Sequence, residues 1–250
     1  LWSTGPVHQI TCEVTVEYGV TLTAENSVVV KFLDNALLRV NGTLNVVGTA
    51  DQPIIFTSIH DDSVGGDTNN NGNITSPDGG DWSSIDVSDS FGNGEATFNH
   101  TIIRYGGGTS TGLGMINNTG GSLSISNTTI SDSAQHGLAI YGGSLSLSNS
   151  TIRYSSQDGI FVSQGSVVIQ QNRIFGNGNY GVYNADVTTV VNARNNWWGS
   201  PSGPDPYGAG NGINYEICYR DVSYYDYLSL TWYTESVPYI CHYYVDVVPW

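Results

Sequence analysis

The stretch Asp67-Thr68-Asn69-Asn70-Asn71-Gly72-Asn73, running on to Asp78, matches the calcium-loop spacing D-x-[DN]-x-[DN]-G-x5, with Asp where a bidentate Glu usually stands. Calcium takes about six to eight hard oxygen ligands. The spacing brings the side chains of Asp67, Asn69, Asn71 and Asp78 and the carbonyl of Asn73 round one point, and Gly72 permits the sharp turn. The stretch lies inside an acidic, Asn/Gly-rich insertion over 60–81 with no helical apolar spacing on either side. Calcium is therefore expected as a structural cofactor and not as the trigger of a helix-opening sensor. The competing reading is a solvated acidic loop. His60, next to Asp61 and Asp62, either joins the loop or faces solvent.

Catalytic chemistry finds fewer candidates. A polysaccharide lyase needs a base for the abstracted proton and a cation for the charge left behind. The available cations are Lys31, Arg39, Arg104, Arg153, Arg173, Arg194 and Arg220. Arg153 and Arg173 flank Ile152 and Ile174 on opposite sides, so a shared orientation beside Asp158 is not expected. A hydrolase needs two carboxylates at a set separation. Asp132 and Asp158 are 26 residues apart, which does not match the repeat described below. Gly108-Thr109-Ser110-Thr111-Gly112 has the nucleophile-elbow pattern without the helix that must follow it. His8, His60, His100, His136 and His242 show no zinc-ligand spacing. The expectation is a non-enzymatic protein, with a polysaccharide-cleaving one as the alternative.

Cys12, Cys218 and Cys241 are an odd number, which in a secreted chain leaves one thiol free or bonded to another molecule. Cys218 and Cys241 are expected to pair, closing a 24-residue loop. In the entropic model such a bond contributes about 3 kcal/mol. Cys12, near the other end, is then intermolecular or free. N-x-S/T sequons at Asn41, Asn73, Asn99, Asn117, Asn127 and Asn149 mark candidate glycosylation sites.

The 250 residues carry 7 Lys+Arg against 22 Asp+Glu, a formal net charge of −15, yet charged residues make up only 12%. The acidity is a shortage of bases. No Lys/Arg patch exists to displace counterions from nucleic acid or to bind anionic lipid. No apolar run approaches the ~20 residues of a membrane span. The chain opens at Leu1 without a basic and apolar leader, which reads as a mature, processed form of a secreted protein.

The elements that must position these residues repeat. A glycine followed by an apolar pair recurs at Gly114-Met115-Ile116, Gly137-Leu138-Ala139, Gly159-Ile160-Phe161 and Gly181-Val182-Tyr183, with spacings of 23, 22 and 22. Ile130, Ile152 and Ile174 form a second series, again 22 apart. Between them, Ser122-Leu123-Ser124-Ile125-Ser126, Ser144-Leu145-Ser146-Leu147-Ser148 and Ser166-Val167-Val168-Ile169-Gln170 alternate as half-buried strands do. A unit this short cannot bury its own apolar face. Stacking does so, each strand pairing in parallel with its copy one coil away, which is a parallel β-helix. Asn127 and Asn149 fall at one turn, where inward amides would form a ladder along the stack; the plain reading is ordinary turn asparagines.

Val14-Thr15-Val16-Glu17-Tyr18-Gly19-Val20-Thr21-Leu22-Thr23 and Val28-Val29-Val30-Lys31-Phe32 resemble the first coils of right-handed parallel β-helix proteins of the pectin-lyase-like class. Gly42-Thr43-Leu44, Gly48-Thr49-Ala50, Pro53-Ile54-Ile55-Phe56-Thr57-Ser58 and Gly80-Asp81-Trp82 continue the resemblance. Asn195-Asn196-Trp197-Trp198-Gly199-Ser200-Pro201-Ser202-Gly203-Pro204 is similar to that group's closing signature. The resemblance spans roughly residues 10–215. It implies an all-β, right-handed solenoid of about nine coils, of the kind found in secreted and surface modules, and assigns no activity.

Residues 216–250 change composition, since nine of the 16 tyrosines follow Asn214. This aromatic-rich segment is read either as a cap on its own last coil or as an interface formed by Tyr224, Tyr225, Tyr227, Trp232, Tyr243, Tyr244 and Trp250, with Cys12 at the opposite end; a carbohydrate-stacking platform is the third reading. The resulting expectation is an extracellular, calcium-stabilised rod over 1–215 whose partner is a second copy of itself, assembling head to tail into a filament or surface layer. The alternatives are a protein that binds or cleaves surface polysaccharide and an adhesin or stalk module.

Overall fold

The computed structural model describes residues 1–72, 74–88, 94–108, 113–186, 188, 190–204, 210, 212–213, 215–226, 231–243 and 245–246, with 215–226, 231–243 and 246 described as backbone alone. The described residues form strands and turns without a helix. The strands stack in parallel to make three faces of a β-solenoid.

The first face runs through Glu13–Val16, Leu37–Val40, Ser84–Val87, the first parts of Gly114–Ser126 and His136–Ser148, then Ile160–Val162, Tyr180–Asn184 and Gly212–Ile213. The second takes Thr21–Ala24, Thr43–Val47, Glu95–Asn99, the latter parts of the same two long strands, then Ser166–Gln170, Val191–Asn192 and Val245–Asp246. The third consists of His8–Ile10, Val29–Phe32, Ile54–Ser58, Thr101–Arg104, Thr129–Ser131, Thr151–Arg153 and Arg173–Phe175.

The 22-residue period is the register of this stack. Ile116, Leu138, Ile160 and Val182 are successive partners on the first face, and Ile103, Ile130, Ile152 and Ile174 on the third. Gly114 pairs with His136, so the 23-residue glycine spacing is one residue out of column and the coil itself keeps 22. These inward columns are fully buried, and each such side chain contributes roughly 1.5–3 kcal/mol by leaving water. The first coils are wider and filled by rings. Phe32 stacks on Trp82 at 4.3 Å, and Phe56 meets both Phe32 and Phe98 edge-on at 6.1 Å.

A two-residue corner joins the second and third faces. Its first residue is left-handed in every described coil from His100 onward: His100, Asn127, Asn149, Gln171 and Asn195 have φ between 49° and 60°. The following residues Thr101, Thr128, Ser150, Asn172 and Asn196 are buried. They bond along the axis: Thr101 N–H to Thr128 Oγ1 at 3.4 Å, Thr128 N–H to Ser150 Oγ at 3.1 Å, Ser150 N–H to Asn172 Oδ1 at 2.9 Å and Asn172 N–H to Asn196 Oδ1 at 2.8 Å. A polar ladder therefore exists, but one residue later than Asn127 and Asn149. Those two are exposed, because the left-handed bend turns its own side chain outward and the next one in.

The stack has about seven turns, fewer than the nine expected. Residues 59–83 leave the solenoid between its third and first faces. Residues 215–243 leave it again in the last coil, as Tyr215–Asp226 and Thr231–Tyr243 pair antiparallel into a hairpin before Val245–Asp246 rejoins the second face. The aromatic segment is thus an excursion within the last coil, whereas the sequence placed it as a tail beyond the rod. At ~4.8 Å per turn the rod is about 34 Å long.

Candidate functional site

The 59–83 excursion folds back over the outward side of the third face. Lys31, the one lysine, is buried beneath it, and its Nζ donates to the Gly66 carbonyl at 2.6 Å. Burial pushes the Lys31 ammonium below its ordinary value, and Asp62, Asp61 and Asp67 pull the other way. Asp61, 2% exposed, accepts from Arg104 Nη2 at 2.6 Å and Nε at 3.0 Å, from Ser63 Oγ at 2.6 Å, and from Thr57 Oγ1. Burial alone would raise the Asp61 carboxyl. The Ser63 and Thr57 hydroxyls and the Arg104 guanidinium outweigh it and hold the group below its usual value. These contacts lock the loop to the rod.

Within the loop, Asp67 accepts the backbone N–H groups of Asn71 at 3.1 Å and Gly72 at 2.8 Å. Asn70 and Gly72 are left-handed, with φ of 54° and 64°, and make the turn that the spacing implied. Asn71 Nδ2 donates to Thr75 Oγ1 at 2.8 Å, while Asn71 Oδ1 and Thr68 Oγ1 are enclosed without a hydrogen-bond partner. Enclosed acceptors beside Asp67 suit a hard cation. Asp78 turns away, accepting the Gly79 N–H at 2.8 Å, and Asn73 lies outside the described residues. No group of three or more His, Cys, Asp and Glu gathers among the described residues, so a cation here would draw chiefly on amide and carbonyl oxygens. His60 joins the loop: Asn69 Nδ2 approaches its Nδ1 at 3.3 Å and its Nε2 reaches Asp34 at 3.1 Å, which fits the tautomer protonated at Nε2.

On the first face, Arg39 pairs with Glu13 at 2.7 Å. One strand along, Asp86 accepts from Ser84 Oγ and Asn117 Nδ2 at 2.7 and 2.8 Å. Farther down, His136 and Asp158, 3.1 Å apart and both buried, sit one coil from each other. Asp158 also accepts the Tyr180 N–H at 2.9 Å, and His136 stacks on Phe161 at 4.9 Å. The sequence could have shown this pair, since 136 and 158 differ by one period. Asp132 occupies a left-handed corner beside the third face and shares no column with Asp158. The Gly108–Gly112 pattern is outside the described residues from 109 onward.

The third face carries an arrangement that sequence reasoning missed. Residues on either side of an inward isoleucine both point outward, because strand side chains alternate. Arg153 and Arg173 therefore do share an orientation, contrary to the sequence expectation. Arg104, Ser131, Arg153 and Phe175 form one outward column, and Thr151, Arg173 and Trp197 form the neighbouring one. The Arg153 guanidinium lies 5.1 Å from the Tyr154 ring centroid. That of Arg173 lies 4.9 Å from Trp197 and 5.7 Å from Phe175. Phe175 meets Tyr154 and Trp197 edge-on at 5.9 and 5.3 Å. In the Asn195–Gly199 run, Asn196 thus belongs to the ladder, Trp198 plugs the core and Trp197 faces out.

Cys12 is free and exposed in the first coil. The side chains of Cys218 and Cys241 lie outside the described residues. In the hairpin backbone Cys218 faces Tyr239, while Cys241 falls in the register shift beside Ile240, so the register does not set the expected disulfide partners opposite each other. Tyr224 and Tyr225 face Tyr233 and Trp232, and Tyr243 faces Tyr215. Tyr227, Tyr244 and Trp250 are outside the described residues. Among the sequons, Asn127 and Asn149 are exposed and Asn41 and Asn99 half-buried. Asn117 is 2% exposed, and its amide nitrogen donates to Asp86 and the Gly114 carbonyl, a geometry closed to a glycan in the folded chain.

A family profile described as a right-handed beta helix region matches residues 55–198. Neither a curated protein nor a solved structure matches the chain.

Proposed function

Since the chain belongs to the right-handed β-helix family, we propose that it is a non-enzymatic extracellular structural protein whose rods assemble head to tail into a filament or surface layer. The fold assigns no activity by itself. The observation that carries the reading is the 215–243 hairpin. Among the described strands its two members pair only with each other. An isolated two-stranded hairpin is at best marginally stable in water, and residues 215–243 hold half of the chain's 16 tyrosines, whose rings gain by burial while their hydroxyls stay bonded. It leaves the last coil. At the opposite end, His8–Ile10 and Glu13–Val16 each have a single strand partner among the described residues, whereas Trp2 bridges the outer edge of Thr21–Ala24. Unpaired edges of this kind invite addition of another chain, and contact between unlike ends propagates instead of closing. Calcium in the 60–81 loop, held by Asp67, Asn69 and Asn71, would stiffen the rod's side.

Sedimentation velocity and electron microscopy of the full chain over a wide concentration range test the reading. Linear particles whose length rises with concentration are expected. Discrete monomers at the highest attainable concentration overturn it.

A further inference from the structure

On the second face, Thr43–Val47, Glu95–Asn99, 122–126, 144–148 and Ser166–Gln170 pair residue for residue with no register shift. Their side chains alternate in and out, so three straight columns point outward along the rod. The middle one runs Thr23, Asn45, Thr97, Ser124, Ser146 and Val168. The columns on either side are also short and polar, and Glu95 is the one charged outward side chain among the described residues of this face. The other faces differ. The first points Glu13, Arg39 and Asp86 outward, and the third Lys31, Arg104, Arg153 and Arg173. Asn45, Val47, Ser124, Ser146 and Val168 are exposed, so no described segment lies over them.

We propose that the second face pairs side by side with the second face of another copy, a lateral contact separate from end-to-end growth. Charge favours this surface. Two copies of a chain of net charge −15 repel wherever their carboxylates gather, and on this face they do not gather. Its area suffices as well. Seven strands from Thr21–Ala24 to Val191–Asn192 at ~4.8 Å make a patch about 34 Å long, and five residues at ~3.3 Å make it about 17 Å wide. A pair then buries on the order of 1,100 Å², above the ~1,000 Å² expected of a specific interface. Short side chains let two regular sheets approach closely, and every hydroxyl both donates and accepts, so the surface is complementary to itself. Val47 and Val168 gain by being covered. Ser124 occupies the centre of the five registered strands. A two-fold axis through that centre, along the rod or along the strands, sets Ser124 against its own copy. In either orientation the two Glu95 carboxylates stay about 10 Å or more apart, beyond the Debye length of about 8 Å at physiological salt.

The test is mild oxidation of full-chain S124C with peptide mass mapping, beside sedimentation velocity and electron microscopy of the wild type and of S124E. A 124–124 disulfide is expected, and no 15–15 disulfide in T15C, which alters the first face. T97C and S122C resolve the orientation: self-linkage at 97 marks rods pointing the same way and self-linkage at 122 marks rods pointing opposite ways, and either supports the pairing. S124E sets two carboxylates face to face and should weaken pairing at least tenfold, equivalent to about 1.4 kcal/mol, at an unchanged melting temperature because Ser124 is exposed. End-to-end growth is read as particle length and lateral pairing as particle width, so each stands or falls alone. A discrete dimer linked at 124 supports this contact while ending the filament reading. Wild-type particles of single width, no 124–124 disulfide, equal linkage in T15C, or unchanged pairing in S124E overturns the proposal.

Discussion

Replacing Asn172 by alanine tests the polar ladder between the second and third faces. The Asn172 side chain is buried: Oδ1 accepts the Ser150 N–H at 2.9 Å, and the two Nδ2 hydrogens are shared among the carbonyls of Leu147 at 3.0 Å and Gln170 at 2.9 Å and Asn196 Oδ1 at 3.0 Å. Alanine leaves the Ser150 amide without an acceptor, at about 1–3 kcal/mol, and removes the two bonds that Nδ2 can donate, worth roughly 0.5–1.5 kcal/mol each. Partial relaxation and water entry reduce the sum, giving an expected loss of about 3–5 kcal/mol. The neighbouring Gln171 provides the control. Its φ of 60° is left-handed and its side chain is exposed, so glycine relieves about 1–2 kcal/mol of backbone strain against a similar entropic cost. Urea unfolding should show Asn172→Ala strongly destabilised and Gln171→Gly within about 1 kcal/mol of wild type. Because a solenoid can open coil by coil, hydrogen exchange at the Ser150 amide should accelerate in the first variant and not in the second. Equal losses in the two variants, or a loss below about 1 kcal/mol in Asn172→Ala, would refute the assignment of the ladder to the second corner residue.

Acid should loosen the 59–83 excursion in a defined window. The folded pKa of Asp61 is depressed, so its contribution is fully present above the unfolded value of 3.8 and is lost as pH falls through the lower folded value. Asp61→Asn should lower the melting temperature at neutral pH, at a cost of about 1.5–3 kcal/mol for the lost charge-assisted bonds to Arg104, and should flatten the fall in melting temperature on acidification; an unchanged acid slope counts against the pairing. Calcium should raise the melting temperature and a chelator reverse it, with the effect absent in Asp67→Ala. Identical melting under both conditions removes the calcium proposal.

The sequence carried the solenoid because the repeat fixes register directly: residues 22 apart become partners, and inward isoleucines reveal themselves by recurrence. It carried less about which of two adjacent polar residues points inward. Asn127 and Thr128 recur with the same period, and only the left-handed φ of Asn127 decides between them. The same ambiguity hid the third face. Arg153 follows its isoleucine and Arg173 precedes its own, which reads as opposition along the chain but as one surface on a strand. His136 and Asp158 leave no trace at metal-ligand spacings among the histidines, because their signature is a histidine and an acid one repeat of 22 residues apart. The coil count fell short because 59–83 and 215–243 leave the rod, and composition does not distinguish a strand that stays in register from one that departs.

The shortage of bases acquires a definite meaning once five of the seven are placed. Arg39 pairs with Glu13, Arg104 with Asp61, and Lys31 with a backbone carbonyl beneath the loop, so three of the seven serve the fold. In so acidic a chain, long-range attraction for a polyanion is absent, and exposed charges beyond a Debye length of about 8 Å hardly interact at physiological salt. Among the described residues Arg153 and Arg173 pair with no carboxylate and lie instead against the Tyr154 and Trp197 rings, so they add cation–π contact and no ion pair to the third face.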